Sequence, residues 1–338
     1  MSVVYINSYQ FSAAAPALTT WDIGITTTDG NWSLRTESTC NYDVDWGDGQ
    51  TDTNVSATGT FVQSHTYASS GSYTVKVTLN SGDFRPRFDY GTGSSNTEVV
   101  SLGATPPGWS FGTNLSQAFY ALFSLSSVSA NMDTSAVTNY FSAWRDCTSL
   151  TSFPLINTSS GILFTAAWYG CNKLTSFPLI NTSSGVNFSN AWQNCSALTS
   201  FPALNLSNAT QLDFAWVNCS ALTNFLVTSA NKCTNFYIAW FGCSNLVNFP
   251  ANFFDNWTAT PGSNCFYYAW AGCTSLSATS VENILNSIAT SGRSPFGPGT
   301  SSTITIDYNA SSGTPSISSA VSTLKSRGWI IVLNGVTQ

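Results

Sequence analysis

From residue 118 to residue 276 the apolar positions recur on a fixed spacing. The string Ala-Trp-x-x-Cys-x-x-Leu appears as Trp144-Cys147-Leu150, Trp168-Cys171-Leu174, Trp192-Cys195-Leu198, Trp216-Cys219-Leu222, Trp240-Cys243-Leu246 and Trp270-Cys273-Leu276. The offsets between tryptophans are 24, 24, 24, 24 and 30 residues. A degenerate copy, Ala118-Phe119 with Leu122 and Leu125, lies 25 residues earlier. Spacing by three suits a 3₁₀ or tight helical turn that faces one way. An apolar residue four positions before each Trp (Tyr140, Phe164, Phe188, Leu212, Phe236, Phe266) extends that buried stripe by one helical turn. Phe153, Phe177, Phe201, Phe225 and Phe249 follow the first five leucines by three residues, and proline follows four of them. Leu-Thr-Ser-Phe-Pro predicts a short strand ended by a residue that cannot continue a ladder. Asn157 to Gly161 and Asn181 to Gly185, both Asn-Thr-Ser-Ser-Gly, predict turns.

One repeat is therefore expected to be a strand, a turn and a short helical segment. A single unit cannot bury its Trp, Phe and Leu, whereas stacked units can, which predicts a solenoid. Each buried Trp removes about 150–250 Å² from water, on the order of 4–6 kcal/mol gross per repeat before conformational entropy. Strands stacked about 4.8 Å apart give a rod of roughly 35 Å for seven turns.

The flanks follow other patterns. Residues 41–49 read Asn-Tyr-Asp-Val-Asp-Trp-Gly-Asp-Gly, followed by His65-x-Tyr67, Gly71-x-Tyr73 and Val75-x-Val77-x-Leu79. The period-2 alternation predicts a strand over Tyr73 to Leu79, and Trp-Gly-Asp-Gly predicts a hairpin turn. Trp21 to Thr26 and Trp32 to Arg35 predict earlier strands. Residues 1–18, with Val3, Tyr5 and Ile6 before an Ala/Pro-rich linker, read either as a docking arm or as a first strand. After Leu276, Thr279-x-x-Glu282 predicts a capping box opening a helix to about Thr290. Thr303 to Tyr308 predicts a strand, Pro315 a second helix at its first position, and Trp329 to Leu333 a last strand.

The repeat, over roughly residues 99–276, resembles leucine-rich repeats of the BspA type, with Trp where that family more often has Phe. The WGDG, HxY and GxYxVxV spacing resembles a PKD-like domain. The tail is similar to the ends of BspA-type proteins encoded in bacteriophage genomes. These resemblances imply a mainly β chain with short helices. Its parts would be an arm (1–18), a PKD-like β-sandwich (19–98), a leucine-rich-repeat solenoid of about seven turns (99–276) and a small α/β cap (277–338).

Composition narrows the function. Charged residues are 8% of the chain, against roughly 25% in a typical soluble domain. Net charge is −6, and the ten basic residues form no cluster. That argues against nucleic acid and against polybasic membrane attachment. No apolar run approaches the roughly 20 residues of a membrane span. The first basic residue is Arg35, so no standard export signal is expected.

Acid–base chemistry has few candidates. His65 is the one histidine, and Glu37, Glu98 and Glu282 are the three glutamates. Its His-x-Tyr setting gives His65 a structural reading. A glycosidase needs two carboxylates about 5–9.5 Å apart, and Asp133, Asp146, Asp213 and Asp255 share no repeat register. Asp43, Asp45, Asp48 and Asp52 suggest calcium, against the plainer reading that Asp48 accepts backbone N–H groups in its turn and the others are solvated. No other metal or cofactor is expected. Of the nine cysteines, six sit in the repeat register. Buried free thiols suit that spacing better than disulfides or a zinc site.

The exposed strand rows Thr151-Ser152, Thr175-Ser176, Thr199-Ser200 and Thr223-Asn224 form the candidate interaction face, able to meet a protein or a glycan. The sequence thus points to a non-enzymatic structural or interaction protein. The first expectation is an accessory component of a phage virion (a decoration, fibre or appendage subunit). It would be assembled in the host cytoplasm, homo-oligomeric, and partnered by other virion proteins through its arm or by a host glycan or receptor. The alternatives are an extracellular or cell-surface adhesin of the BspA type and, more remotely, a glycan-active enzyme.

Overall fold

The computed structural model describes residues 18–88, 98–297 and 302–338. The expected arm lies, save Leu18, outside them. The chain is mainly β with two short helices among the described residues, and no sheet closes on itself.

The N-terminal part holds strands β1 (Trp21–Thr27), β2 (Asn31–Glu37), β3 (Cys40–Asp45), β4 (Thr51–Ala57), β5 (Thr60–Thr66) and β6 (Gly71–Gly82). Alternation sets their faces: Trp21, Ile23 and Ile25 of β1, Trp32 and Leu34 of β2, and Tyr42 and Val44 of β3 point inward and are buried. The expected strands and the Trp-Gly-Asp-Gly turn are all present. In that turn the Trp46 N–H donates to Gln50 O (3.0 Å), and Gly47 and Gly49 adopt φ of 84° and 93°.

β2 pairs with β5 on one edge, and on the other its Thr36 bridges Pro86. The other strands order as β4-β3-β6-β1, continued by β7 (Val99–Leu102) and β8 (Ser127–Val128). β7 pairs antiparallel with β1 and parallel with β8, so the N-terminal sheet runs directly into the repeat region.

In the repeat region each 24-residue coil lies on the next in register. Parallel bridges join Ser152 to Ser176 and Ser176 to Ser200, then β9 (Ser200–Phe201) to β10 (Asn224–Phe225), and Asn224 to Asn248. Three aromatic columns fill the interior. Trp144, Trp168, Trp192, Trp216, Trp240 and Trp270 stack at 5.1–5.9 Å between ring centroids and within 7° of parallel. Phe153 through Phe249 stack beside them at 5.6–6.0 Å and stand edge-on to the indoles. Tyr140, Phe164 and Phe188 form the third column. The six extra residues before Trp270 form a turn that adds Phe253 and Phe254 to the core.

The short helical segment expected at each Trp-x-x-Cys is replaced by a chain of turns. Ala143, Arg145 and Cys147 donate their N–H groups back to the residue three before, as a 3₁₀ turn would. Tyr140, Ser142, Trp144 and Asp146 instead donate across to Leu163, Thr165, Ala167 and Tyr169 of the next coil. A helix aims every N–H along its own axis and leaves none for a neighbour. Here left-handed residues two before and two after each Trp, such as Ser142 (φ 52°) and Asp146 (φ 60°), turn alternate N–H groups outward. Satisfying the inter-coil ladder outweighs the steric cost of those conformations.

The cap holds α1 (Ala278–Ser291), β11 (Thr303–Ile306), α2 (Ser318–Ser326), β12 (Ile330–Leu333) and β13 (Val336–Thr337). Its sheet orders as β11-β12-β13, and β11 bridges to the last coil through Trp270 and Ile306. Two expected caps differ. Ser277, not Thr279, caps α1, accepting from the Ser280 N–H, and Glu282 accepts the Ser316 N–H. That last bond holds Ser316 outside α2, so the helix starts three residues after Pro315.

Candidate interaction surfaces

Two long faces run along the stack of coils. The strand face carries the residues singled out from the sequence. Thr151, Ser152, Thr175, Ser176, Thr199, Ser200 and Thr223 are all exposed and fall into two parallel rows, with Asn224 half-buried at the end. The rows differ in chemistry. The hydroxyls of Thr175, Thr199 and Thr223 donate to the carbonyl of the threonine one coil before, at 3.1–3.2 Å. Their donors serve the ladder, leaving only lone pairs outward. The serine hydroxyls of Ser152, Ser176 and Ser200 sit at the bridges and face solvent. Asn248 continues their row and donates to Asn224 Oδ1 (2.6 Å).

The sequence reading missed what stands beside the serines. Leu155 and Leu179 are 60% exposed and Leu226 is 53% exposed, one per coil with Ala203 between them. In Phe-Pro-Leu-Ile the Ile156 and Ile180 side chains go inward, so the leucines before them face out. An apolar residue on each side of an alternating step was the available signal.

A second face is built by the turns around each Trp. At its N-terminal end Arg145 lies over the rings of Tyr169 (4.3 Å) and Tyr120 (5.8 Å) and pairs with Asp146 (3.4 Å). In the middle are amides and hydroxyls: Ser189 donates to Asp213 Oδ1 (2.6 Å) and Asn218 to Asn194 Oδ1 (3.0 Å). At its C-terminal end stand Phe214, Tyr237, Phe241, Tyr267 and Tyr268. A separate apolar groove of about 570 Å³ lies between α2 and the β12–β13 hairpin, lined by Ile317, Val321, Leu333 and Val336.

The four aspartates weighed for calcium are spent separately. Asp43 accepts from the Asn54 N–H and Asn80 Nδ2, and Asp45 from the Gly47 N–H. Asp52 Oδ2 accepts from Trp46 Nε1 (3.0 Å) and Gln63 Nε2 (2.9 Å). Asp48 accepts the Gln50 N–H and meets His65 Nε2 at 2.8 Å. Burial works upward on Asp48, but the hydrogen bonds from His65 and Gln50 prevail and hold its carboxyl below the ordinary value. His65 itself stacks on Trp46 (4.8 Å, 5°) and meets the edge of Tyr67 (4.5 Å). Among the described residues no three of His, Cys, Asp or Glu gather as metal ligands.

The four aspartates weighed for a glycosidase each have a local partner: Ser135 for Asp133, Arg145 for Asp146, Ser189 for Asp213 and Ser287 for Asp255.

All nine cysteines are buried and free. Each thiol in the register donates to a carbonyl of the coil before, as Cys171 does to Trp144 O and Cys195 to Trp168 O, at 3.0–3.2 Å. Burial pushes the Cys171 and Cys265 thiols up to about 12, and those of Cys147, Cys195, Cys219 and Cys273 well above their ordinary value. These thiols are structural donors with no thiolate character.

No helix of the described residues is long and apolar enough to cross a membrane. The chain matches no family model, and no curated protein or solved structure is significantly similar to it.

Proposed function

We propose that the chain is a non-enzymatic structural and interaction protein, built as a PKD-like β-sandwich and a BspA-type leucine-rich-repeat solenoid of about seven turns with a small α/β cap. We further propose that it serves a phage particle as a decoration, fibre or appendage subunit. The observation that carries the reading is the strand face, where Ser152, Ser176 and Ser200 repeat in register beside exposed Leu155, Leu179 and Leu226. A row of apolar side chains flanked by uncharged hydrogen-bonding groups fits docking against another protein surface. Asp133, Asp213 and Asp255 lie in different coils and are each tied to a local hydroxyl, which favours binding over glycoside hydrolysis at them.

The cysteine column bears on location. Six thiols donate to carbonyls inside a tightly stacked core. That arrangement suits folding in a reducing cytoplasm, where particles assemble, better than export to an oxidising surface.

Intact-mass analysis of the native protein from purified particles tests the proposal. A chain recovered from virions with nine unpaired thiols supports it. Recovery from a cell surface as a processed product, or with disulfides in the column, overturns it in favour of the adhesin.

A further inference from the structure

We infer that the turn face of the last three coils is a binding platform for a neutral polysaccharide, separate from the strand face. The first observation is conformational. The residue two before each Trp is left-handed in every coil: Ser142, Ala166 and Asn190 early, then Phe214 (φ 57°), Ile238 (φ 57°) and Tyr268 (φ 54°). Asparagine and glycine tolerate that conformation, whereas bulky and β-branched residues rarely adopt it. Stability alone would favour repeating Asn190. The three bulky side chains are half-buried or exposed, so core packing does not require them. Backbone strain kept where the interior does not need it points to a use at the surface.

The second observation is the arrangement of rings. Phe214 meets Tyr237 edge-on at 5.2 Å, Tyr237 stacks on Tyr267 at 6.3 Å and 8°, and Tyr267 touches Tyr268 at 4.1 Å. Tyr268 and Phe241 are 41% and 39% exposed. The contacts run from Phe214 to Tyr237 to Tyr267 across three successive coils, as a linear polymer of rings would meet them, with Phe241 exposed in the turn of the middle coil. Ring faces carry negative charge density that attracts polarised C–H groups, and sugars present such C–H faces together with hydroxyls.

The third observation is charge. The neighbours toward the middle of the stack are mostly amides and hydroxyls, and two nearby carboxylates are already bonded, Asp213 to the Ser189 hydroxyl and Asp307 to the Gly272 N–H. With both carboxylates engaged, the face offers little charge to steer a polyanion or a basic peptide. The strand face offers aliphatic leucines, whereas here aromatic rings grade into amides and hydroxyls, so stacking planes and hydrogen-bonding groups stand side by side. A neutral sugar polymer satisfies both parts.

Native gels cast with hydroxyethyl cellulose, soluble starch or yeast mannan, each run against a gel without polymer, test this on the full chain. The wild type is expected to be retarded by at least one polymer. Phe241→Ser with Tyr268→Asn is expected to weaken that retention by about tenfold or more per ring removed. Because Asn suits the left-handed position, Tyr268→Asn alone should melt no lower than wild type, separating lost binding from lost fold. Leu155→Ser with Leu179→Ser should leave retention unchanged. Migration unaffected by all three polymers, or retention that survives the Phe241/Tyr268 variant, overturns the inference. So does a change in oligomeric state on that substitution without any retention, which would make the face a protein interface.

Discussion

At the scale of single residues, the left-handed positions carry the most information. Ile238 is β-branched, and its φ of 57° places Cβ against its own carbonyl. Such a conformation costs roughly 1–2 kcal/mol in a residue with a full side chain. Ile238→Asn should therefore raise the melting temperature, by about 0.5–1.5 kcal/mol of stability in denaturant titration. A clear loss of stability would mean that Ile238 contributes packing that outweighs its strain. The sequence carried half of this feature. Two residues after each Trp stand Asp146, Gly170, Asn194, Asn218, Gly242 and Gly272, the residue types that accept positive φ. Two residues before each Trp the types vary from Ser to Tyr, so nothing there marks the conformation. What sets it is the hydrogen bond to the next coil, a tertiary demand that no local propensity records.

At the scale of elements, two interior columns set the stability. The indole N–H groups of Trp144, Trp168, Trp192, Trp216, Trp240 and Trp270 are buried and have no oxygen or nitrogen acceptor. An unsatisfied buried donor costs about 1–3 kcal/mol. Trp192→Phe removes that donor and keeps a ring in the stack, so it should cost less than about 1.5 kcal/mol, whereas Trp192→Ala should cost about 3–5 kcal/mol. Equal losses in urea titration would show that the ring stack itself cannot accept a smaller member.

The thiol column gives a pH dependence. Below the ordinary thiol value of 9.0 both folded and unfolded chains keep their protons. Above it the unfolded thiols ionise while Cys171 and Cys265, raised by burial to about 12, do not. Stability is therefore full below pH 9 and falls as pH rises, by about 1.4 kcal/mol per pH unit for each such thiol. Melting curves taken from pH 7 to 11 should bend downward near 9, and Cys171→Ala should make that descent shallower. An identical slope in the variant would assign the transition to other groups. Which side chains enter these columns was legible from the 24-residue spacing, since Trp, Cys, Leu and Phe all proved buried. The caps were less so. Ser277 and Thr279 both precede an apolar run in α1, and only the fit of Ala278 N–H to Ser312 and of Ser280 to Val247 O fixes which one begins the helix.

At the scale of the whole molecule, the coils interact only with their neighbours, while the N-terminal sheet covers one end through β7 and β8 and the cap sheet covers the other through Ile306. Stability should then approximate a sum of coil and interface contributions. The exactness of the register makes this testable by excision. Removing residues 175–198 joins Leu174 to Thr199, and the Thr199 N–H then faces Thr151 O as the Thr175 N–H does now. Trp168 would stack on Trp216, two residues that occupy equivalent places in identical columns. The shortened chain should remain folded, monodisperse and cooperative, with a lower melting temperature because one inter-coil interface is gone. Removing only residues 175–186 offers the control, since it sets Phe188 on the exposed Ser152–Ser176 row and Trp192 on the place of Ile180, breaking the Trp column and forcing an apolar ring into solvent. Circular dichroism and sedimentation on the two deletions decide the matter. Unfolding of the 24-residue deletion to the same extent as the 12-residue one would mean that the stack is a single indivisible core, not a series of interchangeable coils.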